Sequence, residues 1–178
     1  MQKIAVFGGT FNPIHNGHIH LIKQFAQRID AEKVLLIPTY QPPHKCVPDL
    51  APSNDRLQMC RLACEESIFE VSSMELKRKG PSYTADTLRE LKKIYPASEL
   101  YLITGEDMFL TLKKWYEAET IFRLAVLAPL LSKFSAQSRR GCRPSLLRGA
   151  AQRTASLNMV SASYHFFKVR NISSPVIR

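Results

Sequence analysis

KIAVFGGTFNPIHNGH, residues 3–18, is the stretch of this sequence that predicts the fold. Its first five residues form an apolar run that stops at Gly8 and Gly9, which is typical of a buried strand ending in a turn. A helix is predicted from Asn16 to about Ile29, because apolar residues recur there at helical spacing. A buried strand followed by a turn and a helix is the opening unit of a parallel α/β sheet.

The same alternation of apolar runs and amphipathic stretches continues along the chain. It predicts further strands at 33–37, 69–76, 100–104 and 124–128, and further helices from Ser53 or Asn54, from Ser82 or Thr84, and across 109–115. With right-handed crossovers, these elements form a Rossmann-like, doubly wound parallel sheet with helices on both faces. In such sheets, ligands bind beyond the carboxyl ends of the strands, where the strand order switches. The loops after the first and fourth strands, 8–14 and 105–107, are therefore expected to form the site.

The length and composition are those of one globular domain, expected to span residues 1–178. Of the 178 residues, 45% are apolar and 22% are charged, and no apolar run approaches the ~18 residues of a membrane span. The N-terminus lacks the apolar run and cleavage site of a signal peptide, so a cytoplasmic protein is expected. The four cysteines form no CxxC pair and are expected to be free thiols, with Cys60 and Cys64 in the core.

The net charge of +10 is concentrated in the last third of the chain. Residues 1–123 carry 16 Lys or Arg against 15 Asp or Glu, whereas residues 124–178 carry 9 Lys or Arg and no acidic residue. Within this basic region, residues 132–164 are rich in Ser, Arg and Ala, lack a sustained apolar period and are expected to pack poorly. A natural basic loop and a shifted reading frame that recovers near His165 would both explain this segment.

The turn between the first strand and the first helix has the features of a phosphate-binding site. Gly8 and Gly9 allow a ligand to approach the backbone closely. His15 and His18 are three residues apart at the helix start, so both imidazoles are expected on one side of its first turn, with Gly17 leaving room between them. The helix N-terminus adds free N–H groups and the positive end of its dipole. This combination indicates stabilisation of charge at a phosphorus centre rather than nucleophilic or general-base catalysis.

Residues 9–18, GTFNPIHNGH, are similar to the GxFxPxHxGH signature of the HxGH nucleotidyltransferases. Five further segments resemble the nicotinate-nucleotide adenylyltransferases of that superfamily: PPHK at 42–45, PSYT at 81–84, DTL at 86–88, GED at 105–107 and WY at 115–116. The resemblance runs from residue 1 to about 131 and resumes at 172–178, where ISSPVIR is similar to the family's ISSTxIR. The PSYT and WY segments favour this family over phosphopantetheine adenylyltransferase, which the first motif alone also fits.

The resemblance implies transfer of the adenylyl group of ATP to nicotinate mononucleotide, with Mg²⁺ accompanying ATP, to give deamido-NAD and pyrophosphate in NAD biosynthesis. It implies direct attack of the mononucleotide phosphate on the α-phosphorus, without a covalent enzyme intermediate. The catalytic residues that it implies are His15, His18, Lys45 and Arg178. The ATP-binding residues that it implies are Gly8, Gly9, Thr10, Phe11, His15, His18, Gly105, Asp107, Ser173, Ser174 and Arg178.

For the second substrate, the resemblance implies that the Trp115 ring stacks on nicotinate and that backbone amides near Thr84 and Tyr116 hold its carboxylate. The mononucleotide-binding residues that it implies are Lys45, Tyr83, Thr84, Trp115 and Tyr116. No residue is assigned to a metal. ATP and nicotinate mononucleotide are the partners implied, with no nucleic acid and no membrane.

The last motif departs from the family in two ways, and other functions also stay open. Pro175 stands where the family has threonine, and the chain ends at Arg178 although the family continues with further helix, so the last motif is expected to be truncated. The alternatives are another HxGH enzyme that acts on nicotinamide mononucleotide or pantetheine phosphate, an inactive relative, and a basic nucleic-acid-binding protein. The last of these is disfavoured because the basic region has few aromatic residues and no regular helical stripe.

Overall fold

The computed structural model describes residues 1–43 and 47–130 of the chain. The described strands are β1 (Lys3–Gly9), β2 (Lys33–Pro38), β3 (Phe69–Val71), β4 (Glu99–Gly105) and β5 (Val126–Leu130). The described helices are α1 (Asn16–Ile29), α2 (Ser53–Ala63), α3 (Met74–Arg78), α4 (Thr84–Ile94), α5 (Glu106–Thr111) and α6 (Ala118–Leu124), with a 3-10 turn at Leu112–Lys114. The expected domain over 1–178 extends beyond the described residues, and so do the 132–164 segment and the 172–178 motif. These three expectations stay predictions.

The five strands form one parallel sheet in the order β3-β2-β1-β4-β5. Val6 on the central strand β1 pairs with Leu35 of β2 on one side and with Leu102 of β4 on the other. The chain builds outward from β1 to β3 and then crosses back to build from β4 to β5. The carboxyl ends of β1 and β4 therefore mark the switch in strand order. This topology confirms the prediction of a Rossmann-like, doubly wound sheet.

Two apolar layers cover the two faces of the sheet. Strand alternation puts Val6 on one face and Phe7 on the other. The first face packs against Met74, Leu88, Leu91 and Ile121 from α3, α4 and α6, and the second packs against Ile22, Phe25 and Cys60 from α1 and α2. Cys60 is a buried free thiol, as predicted, and Cys64 is half-buried. In the described part of the chain, no helix is long and apolar enough to cross a membrane.

The prediction of a strand over 69–76 is wrong in its second half. Pairing with β2 ends at the N–H of Ser72, and a helix begins at Met74 instead. Met74 and Leu76 alternate with polar neighbours, and over so few residues this pattern fits a helical turn as well as a strand. This helix matters for the site described below, because it places the Glu75 side chain in the protein interior.

The last strand and one helix face also differ from the prediction. Leu124 ends α6, a helix that the sequence pattern does not indicate, so β5 begins at Val126. Pro129 continues this strand rather than closing it, and a proline is tolerated because β5 is the outermost strand of the described sheet. The helical spacing of Leu88, Leu91 and Ile94 predicts that all three lie on the buried face of α4. Ile94 is instead 58% exposed, because it is the last residue of the helix.

Candidate active site

A cavity of about 260 Å³ opens beyond the carboxyl ends of β1 and β4, where the strand order switches. Its wall includes six of the residues predicted to bind ATP or the mononucleotide: Gly8, Gly9, Thr10, Thr84, Gly105 and Trp115. These six come from the end of β1, the end of β4, the start of α4 and the segment after the 3-10 turn. Residues distant in the sequence thus meet at one cavity, which is the candidate active site.

A glycine keeps the middle of the cavity floor free of side chains. On the α4 face of the sheet, a residue that lines the cavity lies two positions beyond the last core side chain of β2, β1 and β4. These three residues are Thr39, Gly8 and Thr104, in the same order. An added Cβ on Gly8 would come no closer than 4.0 Å to any other atom, the carbonyl oxygen of Ile37. A side chain at this position would therefore occupy the space left for a ligand.

The two histidines of the HxGH segment stack on each other at the start of α1. Their ring centroids are 3.7 Å apart with 26° between the ring planes. His15 lies in the N-cap position, and its backbone N–H donates a hydrogen bond to Nδ1 of His18 at 3.3 Å. An added Cβ on Gly17 would lie 3.0 Å from Nδ1 of His15, so a glycine is needed for this arrangement. The prediction that both imidazoles share one side of the first turn is confirmed.

His18 is held neutral by its surroundings. The ring is half-buried and meets the edge of Phe11 at 5.5 Å, with 89° between the planes. Burial, and to a smaller extent the charge of His15, lowers the pKa of His18 to about 4. Because Nδ1 accepts a hydrogen bond, the proton of the neutral ring lies on Nε2. His18 is therefore a neutral N–H donor at physiological pH.

Phe11 supports the histidines and does not line the cavity. Its backbone has a φ of 47°, and its side chain is buried against Phe7, with ring centroids 5.4 Å apart. An added Cβ on Gly9 would lie 3.0 Å from the Phe11 ring. Gly9 is thus needed to let this ring pack beneath His18.

On the β4 side of the cavity, Asp107 folds back over Gly105. An added Cβ on Gly105 would lie 2.7 Å from Oδ1 of Asp107, a distance that real side chains do not tolerate. Asp107 itself is exposed at the start of α5. Its carboxylate can therefore accept hydrogen bonds from a ligand that lies over Gly105.

Trp115 lines the cavity, and two tyrosines are sequence neighbours of residues that line it. Tyr83, in the N-cap position of α4, packs on Tyr116, with ring centroids 4.4 Å apart. Arg89 of α4 pairs with Glu117, the residue after Tyr116, and so ties this turn to the helix. The indole Nε1 of Trp115 donates to Oγ1 of Thr111 at 3.3 Å, and the indole ring lines the cavity.

A buried glutamate lines the cavity, and the sequence pattern gave no sign of it. Glu75 is 5% exposed, and burial raises the pKa of its carboxyl group. Oε1 accepts a hydrogen bond from Thr87 Oγ1 at 2.7 Å, and Arg78 in turn donates to the Thr87 hydroxyl at 2.8 Å. Because an arginine can only donate, the Thr87 hydroxyl is the acceptor in the hydrogen bond from Arg78. The network joins α3 to the first turn of α4, where Thr84 lies.

A buried arginine fastens the loops on the other side of the site, and it too was missed. Arg56 of α2 is fully buried and donates to the carbonyl oxygens of Thr10 and Thr39, both at 2.7 Å. Its burial lowers the pKa of the guanidinium. A charged residue in a helical pattern ordinarily indicates the solvent face, so no sequence signal distinguishes Arg56 from its exposed neighbour Arg61.

Four predicted site residues lie outside the described residues: Lys45, Ser173, Ser174 and Arg178. Their predicted contacts with phosphate stay predictions. Within residues 1–43 and 47–130, no group of three or more His, Cys, Asp or Glu side chains could hold a metal ion.

The sequence model of the Cytidylyltransferase-like family matches residues 6–178. The chain belongs to the cytidylyltransferase-like family. Among curated relatives, a protein of Desulfitobacterium hafniense described as a probable nicotinate-nucleotide adenylyltransferase is 42% identical over 125 residues, which are 70% of this chain and 60% of that protein. A protein of Clostridium tetani with the same description is 40% identical over 128 residues, 71% of this chain and 64% of that protein. The matched region thus spans less than two thirds of the length of these relatives.

A solved structure agrees with the fold of this family. The nicotinic acid mononucleotide adenylyltransferase of Plasmodium falciparum complexed with NaAD superposes with a TM-score of 0.62 at 17% identity, over 72% of this chain and 64% of that one. At such low identity the likeness supports the Rossmann-like fold alone. The resemblance predicted from the motifs is confirmed by the curated relatives, whose identities are higher.

Proposed function

We propose that this chain transfers the adenylyl group of ATP to nicotinate mononucleotide, giving deamido-NAD and pyrophosphate in NAD biosynthesis. The observation that carries the proposal is the stacked pair of His15 and His18 at the start of α1. The His18 ring lies 6.0 Å from the ring of Phe7, which lines the same cavity as Trp115. The pair offers donors to a phosphate, and the indole offers a stacking surface to a flat aromatic ring. The descriptions of the curated relatives support the same acceptor.

The proposed reaction is a direct displacement at the α-phosphorus of ATP. An oxygen of the mononucleotide phosphate forms the new P–O bond. The bond between the α-phosphorus and the oxygen bridging to the β-phosphate breaks, and pyrophosphate leaves with its electron pair. The attacking phosphate is already anionic, so no side chain has to remove a proton.

The protein's part in this reaction is to position the two substrates and to stabilise charge. His15, His18 and the N-terminal N–H groups of α1 would bind the phosphate oxygens on which negative charge grows. His18 suits this role because a neutral Nε2–H donor binds an oxygen without needing a proton from solvent. Asp107 would accept hydrogen bonds from ribose hydroxyls of ATP. Lys45, Ser173, Ser174 and Arg178 would add further phosphate contacts.

The nicotinate end of the acceptor is proposed to lie on the α4 side of the cavity. Trp115 would stack on the ring, and backbone N–H groups at Thr84 and Tyr116 would hold the carboxylate. Thr84 is the first residue of α4, so its N–H group is not used within the helix. Tyr83 packs on Tyr116 and would keep the two amide-bearing segments together.

Magnesium enters this proposal with ATP, as part of the substrate. Mg²⁺ commonly keeps several water ligands and is bound through substrate phosphates rather than by a cage of side chains. Among the described residues that line the cavity, Glu75 bears the one carboxyl group, and Asp107 lies next to the cavity at Gly105. We also propose that the chain forms a single domain and that the protein is cytoplasmic, as expected from the sequence.

A panel of acceptors tests the proposal. The chain, ATP and Mg²⁺ are incubated with nicotinate mononucleotide, nicotinamide mononucleotide or pantetheine phosphate, and pyrophosphate release is followed. We expect rapid release with nicotinate mononucleotide and much slower release with its amide, since donors placed for a carboxylate are left unmatched by a carboxamide. Equal rates for the acid and the amide, or a preference for pantetheine phosphate, would reassign the acceptor.

A further inference from the structure

Arg56 is a buried cation that the proposed reaction does not use. Its side chain is fully buried, and none of the ion pairs among the described residues includes it. Taking a guanidinium out of water is costly unless other acceptors replace the lost hydrogen bonds. The hydrogen-bond partners of a buried arginine therefore indicate which parts of the structure its side chain holds together.

The partners of Arg56 are backbone carbonyl groups from three separate segments. Nη1 donates to the carbonyl oxygens of Thr10 and Thr39, both at 2.7 Å. Nε donates to the carbonyl of Ala51 at 2.9 Å, and Nη2 to the carbonyl of Tyr40 at 3.4 Å. One planar group therefore joins the loop after β1, the loop after β2 and the segment that leads into α2.

Asn12 forms a second connection between two of these segments, the loop after β1 and the segment that leads into α2. Its side-chain N–H donates to the carbonyl of Asp49 at 2.9 Å, and its Oδ1 accepts from the N–H of Ala51 at 3.1 Å. Thr10 and Asn12 flank Phe11, whose ring supports His18. The loop that precedes the two histidines is thus fastened on both sides of Phe11.

We propose that Arg56 is a positioning residue for adenylyl transfer, which sets the separation between the loop after β1 and the loop after β2. The first of these loops bears predicted ATP-binding residues, Thr10 among them, and the second leads through Pro42 and Pro43 to Lys45. Because Thr10 and Thr39 share one guanidinium nitrogen, neither loop can move without breaking a hydrogen bond to Nη1. The catalytic consequence rests on the proposed function, whereas the consequence for ATP binding does not depend on the acceptor.

Geometry, rather than charge, is the property that this role needs. An arginine fork presents several donors in fixed directions, whereas a lysine presents one compact ammonium on a flexible stem. A lysine at this position would keep the positive charge and lose the simultaneous bonds to the carbonyls of Thr10, Thr39 and Ala51. Arg56→Lys therefore separates positioning from a general electrostatic effect.

The experiment compares Arg56→Lys and Arg56→Met with the unsubstituted protein, called the full chain below. Arg61→Lys, at an exposed arginine of the same helix, is the control. Each protein is assayed well below its own Tm, with kcat, KM for ATP, and the Kd of a non-hydrolysable ATP analogue measured separately. We expect both Arg56 variants to lose about tenfold or more in kcat and in analogue affinity, since displacements of about 1 Å at a reacting centre cost up to ~10²-fold. Arg61→Lys is expected to match the full chain. A folded Arg56→Lys variant with kcat and analogue affinity like those of the full chain would overturn the proposal.

Asn12→Ala gives a second test that does not disturb a buried group. Asn12 is exposed, so this variant is expected to fold and to keep its Tm, while kcat and analogue affinity fall in the same direction as for Arg56→Lys. If the Arg56 variants do not fold and Asn12→Ala is indistinguishable from the full chain, the positioning role is rejected. If the full chain turns over no acceptor, the proposed function fails, and the affinity for the ATP analogue still decides the role of Arg56.

Discussion

The backbone N–H of His15 donates a hydrogen bond to Nδ1 of His18, with 3.3 Å between the two nitrogens. This bond requires Nδ1 as an acceptor, so the neutral His18 ring carries its proton on Nε2. Half-burial beside Phe11 lowers the pKa of His18 to about 4, and the charge of His15 acts in the same direction. The first turn of α1 therefore presents a fixed donor that keeps its proton throughout the neutral pH range.

His18→Ala is predicted to lower kcat by about 10²–10³-fold while changing the KM of either substrate much less. Deleting one preorganised donor from a site that stabilises developing charge typically has an effect of this size. Steady-state kinetics with ATP and nicotinate mononucleotide measure it, and His20→Ala, at an exposed histidine of the same helix, is the control. Near-normal turnover in the His18 variant would mean that this histidine serves the fold alone.

Gly17→Ala is predicted to lower kcat without lowering the free energy of unfolding. The added methyl group would lie 3.0 Å from Nδ1 of His15, so this ring has to shift from its stacked position. Alanine is favoured over glycine in a helix by up to ~1 kcal/mol, so stability is expected to stay level or rise. Gln27→Ala, on the exposed side of α1, is the control for helix propensity. Unchanged kcat in Gly17→Ala would show that the stacking of the two rings does not matter for turnover.

The parts of the site that follow from local spacing could be predicted from the sequence. Gly8, His15 and His18 are fixed by one turn between a strand and a helix, and Trp115 by its resemblance to a family motif. The doubly wound class of the sheet followed from the alternation of strands and helices with right-handed crossovers, and the loops after the first and fourth strands were expected to form the site. The strand order itself comes from the structure.

The parts that depend on burial could not be predicted. Arg56 and Glu75 are charged residues within short helical or alternating patterns, and such patterns place charge in solvent. Backbone carbonyl groups replace water around the buried Arg56 guanidinium, and the Thr87 hydroxyl replaces it at Oε1 of the buried Glu75. α6 was missed because a helix of 7 residues is too short to show a sustained helical period.

Trp115→Ala is predicted to weaken binding of the mononucleotide and to leave ATP affinity almost unchanged. Stacking of an aromatic pair contributes about 0.5–1.5 kcal/mol beyond the buried area, so a loss of at least this size is expected at the nicotinate end. Separate titrations of nicotinate mononucleotide and of an ATP analogue measure the two effects, and Trp115→Phe should restore part of the loss. A matched loss of affinity for both ligands would identify Trp115 as a core residue.

Glu75→Gln is predicted to raise the free energy of unfolding at neutral pH. Burial raises the pKa of Glu75, while Thr87, Ser82, Arg78 and Thr39 lower it in part. A carboxyl group with a raised pKa in the folded state costs stability as pH rises through that pKa, because the unfolded chain gives up its proton more readily. Glutamine keeps an acceptor for the Thr87 hydroxyl and cannot ionise. The free energy of unfolding of the variant should therefore not fall as the pH rises through this range.

Urea unfolding from acidic to neutral pH measures the difference between Glu75→Gln and the full chain. The two proteins should converge at acidic pH and separate as the pH rises. Glu70→Gln is the matched control, since Glu70 is exposed and pairs with Lys33 at 2.7 Å on β2. A Glu75 variant that is less stable than the full chain at neutral pH would show that the carboxyl group is ionised and stabilising there.

Label transfer from ATP tests adenylyl transfer to nicotinate mononucleotide most directly. The chain is incubated with Mg²⁺, nicotinate mononucleotide and ATP that carries its label either on the α-phosphorus or on the γ-phosphorus, and the products are separated. We predict that the α label appears in deamido-NAD and the γ label in pyrophosphate, in equal amounts, with both transfers lost in a variant that replaces His15 and His18 by alanine. An α label that stays in free AMP or becomes bound to the protein, or a γ label on the mononucleotide, would contradict direct adenylyl transfer at this site.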